Sequence, residues 1–184
     1  PLPGFAGVVE IAARKNSAYA LSSHADGASA YSPPSASAQP ADASSQAPGS
    51  VWAWGSNYNA KLGDGSRDDR LVPTLVAGLS DVAEISFTGG RGFSNDGRVR
   101  ALLSDGTVWA WGGNIVNNSL DGSRVPELVQ GVAEVVTLCD GFAVKSDGTV
   151  WDLRVVYLNE SPEQVPDFAD ATSVYPIEPL LYVA

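Results

Sequence analysis

The sequence predicts an all-β fold of β-propeller-type repeats, a partial propeller of about three blades. Three observations predict it. A Val-Trp-centred segment recurs along the chain, an Asp-Gly pair precedes the later copies, and no stretch carries a helical 3.6-residue period with caps.

The Trp segment appears three times. Gly49-Ser50-Val51-Trp52-Ala53-Trp54-Gly55 is the first copy and Gly106-Thr107-Val108-Trp109-Ala110-Trp111-Gly112 the second. Gly148-Thr149-Val150-Trp151 is the third, which then decays into Asp152-Leu153. Both alternating sets of side chains in these segments are apolar, which predicts a strand buried on both faces, as between stacked sheets. The unit is roughly 40–60 residues long, the size of a propeller blade.

Each later copy is approached by an apolar run and a turn. Ala101-Leu102-Leu103 leads through Asp105-Gly106 into Thr107-Val108-Trp109, and Phe142-Ala143-Val144 leads through Asp147-Gly148 into Thr149-Val150-Trp151. An Asp-Gly pair between apolar runs predicts a hairpin closed by a tight type I′ turn, because both residues tolerate positive φ. A second block follows each Trp segment. Residues 72–85 from Val72-Pro73 match 125–135 from Val125-Pro126, with weaker copies at 4–11 and from Val165-Pro166 to Thr172. Pro73 and Pro126 predict strand starts or edges. The strand entering the first copy is Ser17 to Ser22, and the segment 23–48 that follows is rich in Ala, Ser and Pro. Such a composition buries too little apolar surface to offset its ordering entropy, so 23–48 is expected to be a disordered insertion within a hairpin of one domain spanning 1–184.

These residues resemble the regulator of chromosome condensation repeat family. The elements that carry the resemblance occur in the family's order: Trp54-Gly55-Ser56-Asn57, Leu62-Gly63-Asp64-Gly65, Pro73, Val82 to Ile85, and Ser104-Asp105-Gly106. There are departures from the pattern. Ala60 stands where the family turn usually has Gly, Asn117 to Gly122 replace that turn in the second copy, residues 89–97 are extra, and Trp-Gly is missing after Trp151. The resemblance implies a propeller of typically seven blades, so about three units need further blades or self-association to cover their apolar faces. It also implies a protein partner, since members include exchange factors for a small GTPase and secreted bacterial β-lactamase inhibitor proteins.

Charge and composition narrow the function classes. The formal net charge of −10 argues against nucleic acid, which requires a basic face, and against an anionic membrane surface. No apolar run is long enough to span a membrane, so membrane insertion is not expected. The start, Pro1-Leu2-Pro3-Gly4, lacks a basic n-region and an apolar h-region, and the chain has no Met, as a processed or truncated piece of a longer polypeptide would. Few Lys, no Met and a Ser/Ala/Pro-rich insertion lean compositionally towards a bacterial envelope or extracellular setting.

Candidate chemistry is sparse. The tryptophans Trp52, Trp54, Trp109, Trp111 and Trp151 could stack a sugar or base, but their recurrence marks inter-blade core. His24, the one histidine, lies in the insertion, and one His with one Cys cannot furnish a zinc site or a thiol protease. Cys139 reads as a buried core thiol whose pKa the adjacent Asp140 raises. Asp64, Asp68 and Asp69 are candidate calcium ligands without EF-hand spacing, and a solvated turn is the alternative. Gly90-Arg91-Gly92, with Arg98 and Arg100 nearby, is a candidate anion nest or, more simply, a hairpin with a basic rim. Asp81, Glu84, Glu127 and Glu134 recur with the repeats, which suggests surface or structural roles instead of a unique acid/base pair. The expectation is a non-catalytic repeat scaffold that binds a protein and carries no cofactor. The alternatives are a propeller enzyme, lyase or hydrolase, with its site in other blades, and a structural cell-surface module.

Overall fold

The computed structural model describes residues 8–14, 16–22, 49–87, 98–113, 123–154, 161–168, 170–177 and 180–183. The first sheet contains β1 (Val8–Arg14), β2 (Ser17–Ser22), β3 (Val51–Gly55) and β4 (Arg70–Leu75). The second contains β5 (Val82–Phe87), β6 (Val99–Leu103), β7 (Val108–Gly112) and β8 (Ser123–Leu128). The third contains β9 (Val135–Cys139), β10 (Phe142–Lys145), β11 (Val150–Asp152) and β12 (Glu163–Gln164). Each is an antiparallel meander whose strands neighbour one another in chain order. A hairpin of β13 (Val174–Ile177) and β14 (Leu180–Val183) follows. Three complete four-stranded sheets and no α-helix among the described residues make the predicted partial propeller. The 23–48 insertion joins β2 to β3, two hydrogen-bonded neighbours, and lies outside the described residues.

The sheets stack face to face, and period-2 alternation assigns each side chain to one seam. Leu21, Val51 and Ala53 of the first sheet bury themselves against Ile85, Val99, Ala101 and Trp111 of the second. The opposite faces of β6 and β7, carrying Leu102, Val108 and Ala110, bury themselves against Leu138, Ala143 and Leu153 of the third. The far face of the third sheet buries Phe142, Val144 and Val150 with Ala171. Strands β1, β5 and β9 occupy one edge of their sheets, and each carries a bulge or register irregularity near its start. Strands β4, β8 and β12 form the opposite, solvent-facing edge. Pro73 and Pro126 fall within β4 and β8, as expected for edge strands, where a missing N–H costs no ladder bond.

The Asp-Gly hairpins form, but with a different turn. The N–H of Gly106 bonds to the carbonyl of Leu103 and the N–H of Leu103 to that of Thr107, and only Gly106 has positive φ. This is a three-residue loop, a turn followed by a left-handed glycine, instead of the two-residue I′ turn expected. Asp105 takes ordinary φ because its carboxylate binds the Thr107 N–H at 2.9 Å and hydroxyl at 2.6 Å. Asp147 does the same for Thr149.

The loop glycine also joins the sheets. The carbonyls of Gly49, Gly106 and Gly148 accept the N–H groups of Val82, Val135 and Ala171, at 3.2, 3.0 and 3.0 Å. Each bond ties a hairpin to the first residue of the next repeat. A Cβ at Gly148 would lie 2.6 Å from the Asp170 nitrogen. Positive φ and backbone contact therefore both require glycine here. This register also corrects one repeat match. Val165 donates to Val150 as Val76 does to Val51 and Val129 to Val108, so Pro166 corresponds to Ala77 and not to Pro73.

Gly78 has φ of 83° but nothing within 4 Å of a built Cβ, so it isolates the backbone term. Gly78→Ala is expected to cost about 1 kcal/mol, and Gly148→Ala about 3 kcal/mol through strain plus collision. Urea denaturation of the two variants measures the difference, and equal midpoints would remove the close-approach argument.

Candidate interaction surface

The β3–β4 connection, 56–69, is the longest described loop and is organised by one buried side chain. Asn57 is fully buried. Its Oδ1 accepts the Leu62 N–H at 3.0 Å, its Nδ2 donates to Asp64 and to Ser66, and its own N–H donates to Asp69 at 2.7 Å. Asparagine suits the position because its amide both donates and accepts, replacing ladder bonds that an irregular backbone lacks. Ala60, next in the turn, has φ of 54°, which explains in this chain why glycine suits that position better.

Asp64 is the second anchor. Its carboxylate accepts the Arg70 Nε at 2.5 Å and the Ser66 N–H and hydroxyl at 2.9 and 2.8 Å. Burial works to raise its pKa, but the Ser66 and Arg70 donors outweigh that and hold it below the usual value of 3.8. The three calcium candidates therefore face different partners: Asp64 the Arg70 pair, Asp69 the Asn57 N–H, while the Asp68 N–H donates to Ser66. Among the described residues no three His, Cys, Asp or Glu side chains form a group that could hold a metal ion.

The loop also locks onto the second sheet. The Lys61 carbonyl accepts both the Tyr19 hydroxyl at 2.7 Å and the Trp111 Nε1 at 2.8 Å, and the Gly65 N–H reaches the Arg124 carbonyl at 2.9 Å. From this fixed base Tyr58 projects 65% exposed and Leu71 95% exposed. Val72 and Leu75 on β4, with Val125 and Leu128 on β8, are exposed along the same outer edges. A fixed loop bearing exposed Tyr58, beside the exposed Leu71, Val72 and Leu75 of β4, is the strongest interaction feature among the described residues.

The other sequence candidates separate. Trp111 is buried, with Trp109 and Trp151 partly buried in the same kind of seam, while Trp52 and Trp54 are half-buried on the corresponding face of the first sheet. Gly55 and Gly112 end their strands with positive φ. Cys139 packs against the core of the third sheet but is half-buried, not fully buried; burial, then Asp140 and Glu84, raise its pKa. Arg100 is not on a basic rim: it is buried between sheets, donating to the Leu153 carbonyl at 2.8 Å. His24, residues 88–97 and Asn117 to Gly122 lie outside the described residues.

The acidic set also divides. Asp81 and Glu134 share a positive φ just before β5 and β9, whereas Glu127 lies on the edge strand β8. Glu84 belongs with Glu10, which the repeat comparison did not single out. Both follow the irregularity on the first strand of their sheets. Glu84 accepts the Leu138 N–H of the next sheet at 3.1 and 3.3 Å, and Glu10 accepts that of Ile85. Burial raises both pKa values above the usual 4.5 against these hydrogen bonds, and the charge of Glu10 pushes Glu84 further. The spacing of Glu10 and Glu84 from Val8 and Val82 was the available signal.

Two expectations follow. Asn57→Ala strands the Leu62 N–H and frees the loop, for a loss of about 3 kcal/mol by urea denaturation. The carboxyls give stability opposite slopes on either side of their normal range. Glu10 and Glu84 hold their protons more tightly when folded, so stability falls as pH rises above 4.5 through their raised values. Asp64, Asp105 and Asp147 lose stability as pH falls below 3.8. The urea midpoint should peak between about pH 4 and 5. Glu84→Gln keeps the acceptor and should raise the midpoint at pH 7 but not below 4.5; no change at pH 7 would contradict the assignment.

Comparison with known proteins agrees with this geometry. Residues 48–94 match the family model of the regulator of chromosome condensation (RCC1) repeat. The E3 ubiquitin-protein ligases HERC2 of Homo sapiens and of Mus musculus are each 34% identical over 88 residues, 46% of this chain and 2% of theirs. Among solved structures, human WBSCR16 matches with a TM-score of 0.57 at 18% identity, over 86% of this chain and 38% of that one. Prp20p of Saccharomyces cerevisiae, described with its binding to Gsp1p and histones, matches with a TM-score of 0.52 at 16% identity, over 89% of this chain and 39% of that one. The chain thus spans well under half the length of each.

Proposed function

We propose that the chain, of which residues 48–94 match the RCC1 repeat, is a non-catalytic scaffold that binds a protein through the outer rim of its first two sheets. The observation that carries this reading is the 95% exposure of Leu71 beside a loop fixed by Asn57, Asp64 and Arg70. A backbone already fixed beneath exposed apolar side chains lowers the ordering cost of docking, which favours a protein partner. Proline within β4 and β8 blunts strand addition, so the partner reads side chains and not the sheet edge. The net charge of −10 favours a basic partner face through complementarity and steering.

The relatives supply the probes. Prp20p is described with its binding properties to Gsp1p and histones. Titration calorimetry of the 184-residue chain with each, at low and moderate salt, should give salt-sensitive binding to histones. Leu71→Asp with Tyr58→Ala should weaken that binding tenfold or more without altering the circular dichroism spectrum. Absence of binding to both probes would remove this reading.

A further inference from the structure

Asp-Gly pairs recur along the sequence, and Asp64-Gly65, Asp105-Gly106, Asp140-Gly141 and Asp147-Gly148 lie among the described residues. Such pairs degrade spontaneously, because a glycine nitrogen beside no side chain can attack the Asp Cγ. The N–Cγ bond forms, the carboxyl OH leaves with the amide hydrogen as water, and a five-membered imide remains. Water then opens the imide at either carbonyl. One opening restores aspartate, and the other gives isoaspartate, with an extra methylene in the backbone. The reaction requires the protonated carboxyl and a glycine nitrogen able to leave its peptide plane.

At three of these pairs the structure opposes both requirements. The carboxylates of Asp105 and Asp147 accept the hydroxyl of the Thr two residues on, at 2.6 Å each, and its N–H at 2.9 and 3.0 Å. The Asp64 carboxylate accepts the Ser66 hydroxyl at 2.8 Å and N–H at 2.9 Å. The glycine N–H groups of Gly65, Gly106 and Gly148 are committed to the carbonyls of Arg124, Leu103 and Lys145, each at 2.9 Å. We propose that the Ser or Thr following these pairs is a chemical guard that keeps Asp64, Asp105 and Asp147 from becoming isoaspartate. The donors act by favouring the unreactive ionised carboxylate. The Thr hydroxyl and N–H hold Asp105 and Asp147 below the usual carboxylate range, and at Asp64 burial acts to raise the value but the Ser66 and Arg70 donors outweigh it. Asp140-Gly141 shows that the dipeptide does not itself demand the hydroxyl: Phe142 follows it, and Asp140 takes a positive φ of 41°. The guard protects the stacking of the sheets. An added methylene at Asp105 or Asp147 would displace the Gly106 or Gly148 carbonyl from the N–H of Val135 or Ala171, now 3.0 Å away. The inference is independent of the partner proposed for the rim.

The test ages the 184-residue chain and its variants at neutral pH and reads isoaspartate at each site by enzymatic methylation and peptide mapping. Thr107→Val keeps the N–H and the β-branched shape but removes the hydroxyl. Isoaspartate at Asp105 should then form about tenfold faster than in the original chain, the worth of one hydrogen bond to a charged group. Asp147 in the same molecule should keep its original rate. Thr107→Ser restores the hydroxyl and should leave both sites as they were. In Thr149→Val the two sites should exchange roles. An unchanged rate at Asp105 in Thr107→Val, or the same acceleration in Thr107→Ser, would overturn the proposal. Equal acceleration of Asp105 and Asp147 in both valine variants would mean that the fold alone protects them, and would also overturn it.

Discussion

The repeat depends on a single backbone bond made between sheets. The left-handed glycine that closes each hairpin turns its carbonyl towards the first N–H of the next repeat, in Gly49 to Val82, Gly106 to Val135 and Gly148 to Ala171. Because that glycine lies so close to the incoming chain, the bond fixes the distance between sheets as well as their order. Once the first residue of a sheet is placed, the seam is determined. Ile85 falls against the Leu21, Val51 and Ala53 face, and Leu138 falls against its counterpart in the second sheet.

The same placement explains the half-buried glutamates. Glu10 and Glu84 reach over the seam to a backbone N–H three residues beyond the glycine-bound one. Their charge is disfavoured by burial, yet an unpaired amide at that point would cost more. The third sheet has Thr137 at this register, and its hydroxyl meets Glu84 from the other side. Glu10 and Glu84 at one edge and exposed apolar side chains at the other give the two ends of the first two sheets different chemistry. Among the described residues the outer edge joins a loop fixed by side-chain hydrogen bonds to accessible apolar area, and this is the surface proposed for a partner.

Much of the fold was legible before the structure. Strand runs such as Ser17 to Ser22, the hairpins at Asp105-Gly106 and Asp147-Gly148, and the edge role of Pro73 and Pro126 depend on residues adjacent in sequence or paired across a short loop. The turn type was not legible. An Asp-Gly pair serves a two-residue turn as readily as a three-residue loop, and the Thr two residues after the Asp selected the second by taking its carboxylate. Among the site residues, Asp64 and Asp69 were visible as acids, but their hydrogen bonds to a common asparagine were not, since Asn57 carried no charge to draw attention.

By itself the sequence determined that the chain is all-β, that its repeats are of propeller type, and that Trp52, Trp109 and Trp151 hold equivalent places. Each follows from local period and turn chemistry. The tertiary structure alone decided which face of each strand meets which neighbour, that Arg100 is buried while Leu71 is not, and that Glu84 serves an amide 54 residues away. An alternating apolar strand has two faces that look alike in sequence, and only the stacking of the next sheet distinguishes the covered face from the open one.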